Sequence, residues 1–405
     1  MMCLLSAFIM ANAQQALWSG SQIVSPQINE DNTVTFRLFA PSAQKVQVTG
    51  DFLPPTYFTT PEGEAQGPGI AELAKNSEGV WEFTTPSPLA PELYSYSFIV
   101  DGLKMNDPSN VYVNRDVATL TNIFIIGGEG GDLYKVNDVP HGSVTRQWYY
   151  SPTLDTNRRL SVYTPPRYEQ GDREYPVLYL LHGMGGDEEA WLALGRTAQI
   201  LDNLIARGEA EPMIVVMTNG NVDQDAAPGE SYLGLYPPTF NLPHTMDGIF
   251  EISFPDVVKF IESNYRTKKD KHSRAIAGLS MGGFHSMNIS KNYPDMFDYV
   301  GLFSAAITPI GNADSPIYAD TEKKLAEQFA QQPALYWIAI GDKDFLYEDN
   351  VKFRKLLDEK GYPYIYFESP DGHIWKNWRI YLTKFVPQLF KTDPGQGSVS
   401  SYSAN

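Results

Sequence analysis

The residues best suited to chemistry in this chain are one serine, one histidine and a pair of aspartates. Ser280 stands in Gly278-Leu279-Ser280-Met281-Gly282-Gly283. A serine hydroxyl is a weak nucleophile near neutral pH; it needs a base to take its proton and a carboxylate to fix that base in the right tautomer. Glycines flanking the serine allow a strand to turn sharply into a helix, which lifts the hydroxyl clear of the backbone. The motif alone recurs by chance in chains of this length, so its setting decides. Here it follows the apolar run Ala275-Ile276-Ala277 and opens a helical stretch that continues to Tyr293. That strand, turn and helix are the setting a nucleophilic serine requires, and its reaction is acyl transfer.

The chain has six histidines. His141 falls in a segment between domains, His182 in a loop before the serine, His244 in an insertion, His272 just before the serine's strand and His285 on the serine's own helix. Sheets that carry such a turn hold their catalytic groups in the chain order serine, acid, histidine. Only His373, in Pro370-Asp371-Gly372-His373, follows the later strands and is the expected base. The run Leu335 to Ile340 leads into Gly341-Asp342-Lys343-Asp344, two carboxylates at the C-terminal end of a buried strand, where parallel sheets assemble their sites. Asp344 is the expected acid, with Asp342 as the alternative. The negative oxygen of a tetrahedral intermediate needs preorganised donors. The backbone N–H of Met281 is one. The glycine-rich loop Leu180-Leu181-His182-Gly183-Met184-Gly185-Gly186 offers the second, from Met184 or Gly183.

The elements that position these groups fall into two regions. From about Leu17 to Ile126, short alternating strands such as Thr33 to Phe39, Lys45 to Val48, Val80 to Phe83 and Tyr94 to Val100 predict a β-sandwich over residues 17–126. Gly127-Gly128-Glu129-Gly130-Gly131 reads as a flexible break within a linker at 127–140. Beyond it, apolar strands at Val177 to Leu181, Met213 to Met217, Ala275 to Ala277, Tyr299 to Phe303, Leu335 to Ile340 and Tyr364 to Phe367 alternate with helical stretches. These are Ala198 to Arg207, Pro255 to Tyr265, Gly283 to Tyr293, Thr321 to Gln331, Asn350 to Lys360 and Trp375 to Leu389. This alternation predicts a mostly parallel α/β sheet at 141–392, edged by antiparallel strands at Ser143 to Tyr150 and Arg159 to Tyr163, with a Gly/Ser-rich tail at 393–405.

A net charge of −17 disfavours nucleic acid and anionic membrane surfaces and suits a neutral substrate. The single cysteine, Cys3, lies within Met1 to Ala13, an apolar run ending in Ala11-Asn12-Ala13 that reads as a secretory signal at 1–13. Its removal would leave a cysteine-free chain, in keeping with a bacterial secreted, periplasmic or cell-surface protein that inserts in no membrane. No histidine, cysteine or aspartate pattern suggests a metal or other cofactor.

Tyr179-Leu180-Leu181-His182-Gly183, Ala275 to Gly283, Ile340-Gly341-Asp342-Lys343-Asp344 and Gly372-His373 together resemble carbohydrate esterase family one, the esterase D and feruloyl esterase group of α/β-hydrolases. The resemblance spans about Ser143 to Phe390. It implies Ser280, Asp344 and His373 as the triad, and as substrate a feruloylated or acetylated plant polysaccharide such as arabinoxylan. Phe36 to Pro41, Val46 to Phe52 and Asp107 to Asn110 resemble the immunoglobulin-like modules related to glycogen-binding modules. Trp81, Tyr94 and Tyr96 are candidates there for either a sugar-stacking platform or a core. For an aromatic acyl group the expected walls are Trp191, Tyr232 and Trp375, with Tyr236, Phe240 and Trp378 beside them.

The leading expectation is a secreted serine esterase removing feruloyl groups. An acetyl xylan esterase or an acyltransferase on the same scaffold is the near alternative. A non-catalytic glycan-binding protein, with the sandwich as its working part, is the distant one. Oligomeric state is not legible in the sequence.

Overall fold

The computed structural model describes residues 23–391 apart from 61–62, 236–237, 241–242 and 310–314, and of residues 60 and 63–65 the backbone only. The expected signal at 1–13, the tail at 393–405 and Tyr236 lie outside the described residues.

The first region is a sandwich of two antiparallel sheets. One orders the strands Gln27–Ile28, Val34–Phe39, Val80–Thr84 and Ala74–Lys75 side by side; the other orders Val113–Asp116, Thr119–Ile125, Leu93–Val100, Val46–Gly50 and Gly69–Glu72. A separate hairpin joins Thr56–Thr60 to Gly63–Gly67. Alternation puts Val34, Phe36 and Leu38 inward from one sheet and Val48, Tyr96 and Phe98 inward from the other. Their rings interlock: Phe36 stands 4.9 Å from both Phe52 and Tyr96, and 5.7 Å from Phe124. Trp81, Tyr94 and Tyr96 all belong to this core. The Trp81 indole N–H donates to Ala40 O at 2.9 Å and the Tyr94 hydroxyl to Ala90 O at 3.0 Å. Buried and spent on internal hydrogen bonds, they form no stacking platform.

The second region is built on eight strands, which we number β1 Ser143–Ser151, β2 Thr156–Thr164, β3 Val177–Leu181, β4 Ile214–Thr218, β5 Arg274–Leu279, β6 Tyr299–Phe303, β7 Leu335–Gly341 and β8 Ile365–Ser369. Their order in the sheet is β1-β2-β4-β3-β5-β6-β7-β8; β1 and β2 are antiparallel and β3 to β8 parallel. The helices are α1 Ala190–Ala193, α2 Thr197–Ala206, α3 Ile249–Asn264, α4 Met281–Asn292, α5 Thr321–Ala330, α6 Tyr347–Lys360 and α7 Trp375–Phe385. Each central strand is buried on both faces, which is why it reads as an unbroken apolar run. One face packs under α3 to α6 and the other under α2 and α7, as two large apolar clusters. Each fully buried large side chain contributes ~1.5–3 kcal/mol.

Two helix ends differ most from expectation. α3 starts at Ile249, ahead of Pro255, because buried Phe250 and Phe254 anchor its first turns and carry it through the proline. α7 ends at Phe385, giving way to a 3-10 turn over Val386–Gln388, where Pro387 lacks a donor.

The segment 127–140, expected as a linker, is anchored just past its glycines. Leu133 and Tyr134 are buried, Asn203 Nδ2 donates to Leu133 O at 3.0 Å, and Arg196 Nε donates to Tyr134 O at 2.9 Å. Leu93, on a sandwich strand, belongs to the same apolar cluster as Trp191 and Trp378, so the two regions share a core.

Candidate active site

Parallel register brings the C-terminal ends of the strands to one level: Leu181 pairs with Gly278, Leu279 with Phe303, Phe303 with Ala339 and Gly341 with Ser369. Ser280 sits at that level between β5 and α4 with φ 52° and ψ −116°, a backbone conformation costly for a residue with a side chain. The turn is clamped. Ser280 N–H donates to Phe303 O at 2.9 Å, while its own carbonyl accepts from Phe284 N–H at 3.0 Å and Ala306 N–H at 3.1 Å. A Cβ on Gly278 would lie 2.4 Å from the Gly282 carbonyl carbon, and one on Gly282 would lie 2.4 Å from Leu181 O. Backbone blocks both positions, so side chains are excluded there.

His373 and the β7 acid meet. His373 Nδ1 lies 3.0 and 2.9 Å from the two carboxylate oxygens of Asp344, whose Oδ1 also accepts Leu346 N–H at 2.9 Å. Asp344 is buried and Asp342 exposed, so of the two carboxylates only Asp344 faces the imidazole. The loop carrying His373 is tied to the acid's loop: Lys343 N–H donates to Asp371 O, and Asn377 Nδ2 donates to Gly372 O at 2.9 Å. The other histidines have their own partners. His141 pairs with Asp202, His244 with Asp223, His272 with Asp298 and His285 with Glu251.

The loop after β3 runs beside the serine. Gly183 is so close that a Cβ there would lie 2.4 Å from Leu279 Cδ1 and 3.3 Å from Ser280 Cβ, and Gly186 N–H closes the turn onto Gly183 O at 3.0 Å. Met184 is half-buried on this turn, and Met281, at the start of α4, is buried. His182 ties this turn to the loop after β4: its Nε2 accepts Gly220 N–H at 2.8 Å, which assigns the proton to Nδ1, the donor to Gly183 O at 2.7 Å. Burial pushes this imidazole down to about 4, so it stays neutral.

The expected aromatic walls divide. Trp191 is a correction: it is 1% exposed, its indole N–H donates to Leu181 O at 2.9 Å, and it lies in the core where no ligand can reach. Tyr232 is exposed and pairs with Trp148 of the edge strand β1 at 6.0 Å; both line a surface cavity of about 580 Å³. Trp375 is half-buried, packed edge-on to Trp191 at 5.3 Å and Trp378 at 5.1 Å. Two rings flank His373 directly: Phe345 at 4.5 Å and Trp378 at 4.9 Å. Phe345 was not among the expected residues. Its position immediately after Asp344 was the available signal.

Among the described residues no group of three or more His, Cys, Asp or Glu side chains could hold a metal ion, and no helix is long and apolar enough to cross a membrane.

Residues 151–389 match the Esterase family model, described as "Putative esterase", and residues 23–113 match carbohydrate-binding module 48, the isoamylase N-terminal domain. A Xylanibacter ruminicola protein named endo-1,4-beta-xylanase/feruloyl esterase is 30% identical over 373 residues, covering 90% of this chain and 46% of the relative. The chain thus spans about half the length of that curated relative. The solved CE1 ferulic acid esterase AmCE1/Fae1A of Anaeromyces mucronatus superposes with a TM-score of 0.51 at 26% identity, over 63% of this chain and 93% of that one. The enterobactin esterase of Shigella flexneri, only 16% identical, has a TM-score of 0.59 over 88% of this chain and 93% of its own, a likeness of fold.

Proposed function

The chain belongs to the esterase family, and on that premise we propose that it is a serine carboxylic-ester hydrolase removing feruloyl groups from a plant cell-wall polysaccharide such as arabinoxylan. The observation that carries this reading is the pairing of His373 Nδ1 with both oxygens of Asp344 at the strand ends where Ser280 occupies its strained turn. The feruloyl preference is supported by the names of the Xylanibacter and Anaeromyces relatives.

In this reading His373 Nε2 takes the Ser280 proton as Oγ attacks the ester carbonyl, and the Nδ1–H held by Asp344 fixes the tautomer that leaves Nε2 free to accept. The carbonyl oxygen gains charge and is held by the N–H of Met281 and that of Met184 or Gly183. The tetrahedral intermediate collapses, the sugar alkoxide leaves with the proton from His373, and Ser280 retains the acyl group. Water, deprotonated by His373, then releases the acid. Trp375 and Phe345 are the proposed aromatic walls for the acyl ring. Residues 17–126 and 141–392 are the proposed domains, and the apolar segment at 1–13 supports a site of action outside the cytoplasm.

The test compares rates on methyl ferulate and on an aryl acetate, with Ser280→Ala as blank. A preference for ferulate with an inert variant is expected. A preference for acetate would make the protein an acetyl esterase, and activity retained by Ser280→Ala would remove the serine from the mechanism.

A further inference from the structure

Two side chains of the N-terminal region, one on the sandwich and one on the separate hairpin, reach loops that carry the proposed chemistry. Arg115, on strand Val113–Asp116, places Nη2 2.5 Å from Asp187 Oδ2. Asp187 directly follows the Gly183–Gly186 turn beside Ser280, and its side chain is 2% exposed. Its Oδ1 accepts Glu189 N–H at 3.0 Å, which fixes the start of α1. The same guanidinium donates from Nη1 to Val117 O at 3.1 Å, bracing the hairpin tip. That tip rests on the turn: a Cβ at Gly185 would lie 2.7 Å from a Val117 methyl. Across the site, Gln66 Oε1 of the small hairpin accepts Gly372 N–H at 3.2 Å, one residue before His373.

We propose that Arg115 and Gln66 are positioning residues for catalysis, the first holding the oxyanion loop through Asp187 and the second holding the base loop through Gly372. The proposal rests on the assignment of Ser280 and His373 given above. Buried Asp187 sits beside Glu188, whose own carboxyl is pushed up by burial and by the Asp187 charge. Without Arg115 that pair of carboxylates loses a compensating cation, and relief comes from Asp187 moving toward water. The Gly183–Gly186 turn is continuous with it and would move too. Displacing one oxyanion donor costs ~100- to 1,000-fold in kcat when the donor is lost outright, and a shift of ~1 Å costs ~100-fold. The N-terminal module is therefore part of the catalytic apparatus, beyond any sugar-binding role.

The experiment uses the full chain with Arg115→Gln, Arg115→Lys and Gln66→Ala, and with Arg37→Gln as a control on the far sheet of the sandwich. Two readouts are taken: kcat and KM on 4-nitrophenyl acetate, and the rate and final stoichiometry of Ser280 labelling by a fluorophosphonate. Expected for Arg115→Gln is a fall of ~10- to 100-fold in kcat and in labelling rate, with KM within ~3-fold and full final labelling. Arg115→Lys should recover part of the loss, Gln66→Ala should lose ~3- to 10-fold, and Arg37→Gln should match wild type. Wild-type kcat per labelled site in the Arg115 and Gln66 variants would overturn the proposal. So would a kcat loss that merely tracks lost labelling stoichiometry, which would mean misfolding. If Arg115→Gln does not fold, Arg115→Lys and Gln66→Ala decide by the same criterion. A wild-type chain that labels but does not hydrolyse defeats only the esterase reading, since labelling rates still judge the loops. One that neither labels nor hydrolyses defeats the Ser280 assignment and this proposal with it.

Discussion

Glu92 of the sandwich and Arg379 of α7 meet 3.0 Å apart where the two regions join, and both are almost wholly buried. Arg379 also donates to Leu93 O at 2.9 Å and to Leu194 O at 3.1 Å, so one guanidinium ties a sandwich strand, the end of α1 and α7 together. An uncompensated buried charge is far more costly than a surface one. Glu92→Gln should therefore destabilise the protein by ~3–5 kcal/mol, read from denaturant unfolding. An unchanged unfolding midpoint would mean that the junction tolerates a lone guanidinium.

The assignment of the acid is separable by two isosteric changes. Asp344→Asn removes the carboxylate that fixes the His373 tautomer and should lower kcat by ~10,000-fold, with little change in melting temperature. Asp342→Asn, on an exposed carboxylate two residues away, should leave kcat within ~2-fold. Equal losses from the two substitutions would refute the geometry of the pair.

His182 should make stability depend on pH. Its folded value is held at about 4 against an ordinary 6.5, so on acidification the unfolded chain takes up the proton first. The sign follows: stability attributable to this group is intact above about pH 6.5 and falls as pH drops toward about 4, by ~3 kcal/mol in full. His182→Gln should flatten that part of the slope when unfolding is measured at about pH 7 and about pH 4.5. A slope as steep as wild type would place the acid sensitivity elsewhere.

Much of the architecture was legible because strands buried on both faces have no polar side to interrupt them, as in Val177–Leu181 and Leu335–Gly341. The serine turn was legible because backbone crowding at Gly278 and Gly282 leaves no room for a side chain. Other features were not. Asp342 and Asp344 are chemically alike, and only the turn after β7 decides which faces inward. Trp191 read as a pocket wall because an indole looks the same in sequence whether it meets a ligand or the core. Gln66 lies 306 residues before the backbone N–H it accepts, a separation over which no local pattern survives. Arg115 and Asp187 stand 72 residues apart and are equally silent in sequence.

The shared apolar cluster bears on how such chains can be divided. The two family matches end at 113 and begin again at 151, leaving the hairpin arm Thr119–Ile125 and buried Leu133 and Tyr134 unclaimed by either. A cut anywhere in that gap would strand Arg115 or bare the greasy underside of α2 and α7. Similarity to other proteins draws a seam there; the hydrophobic core does not.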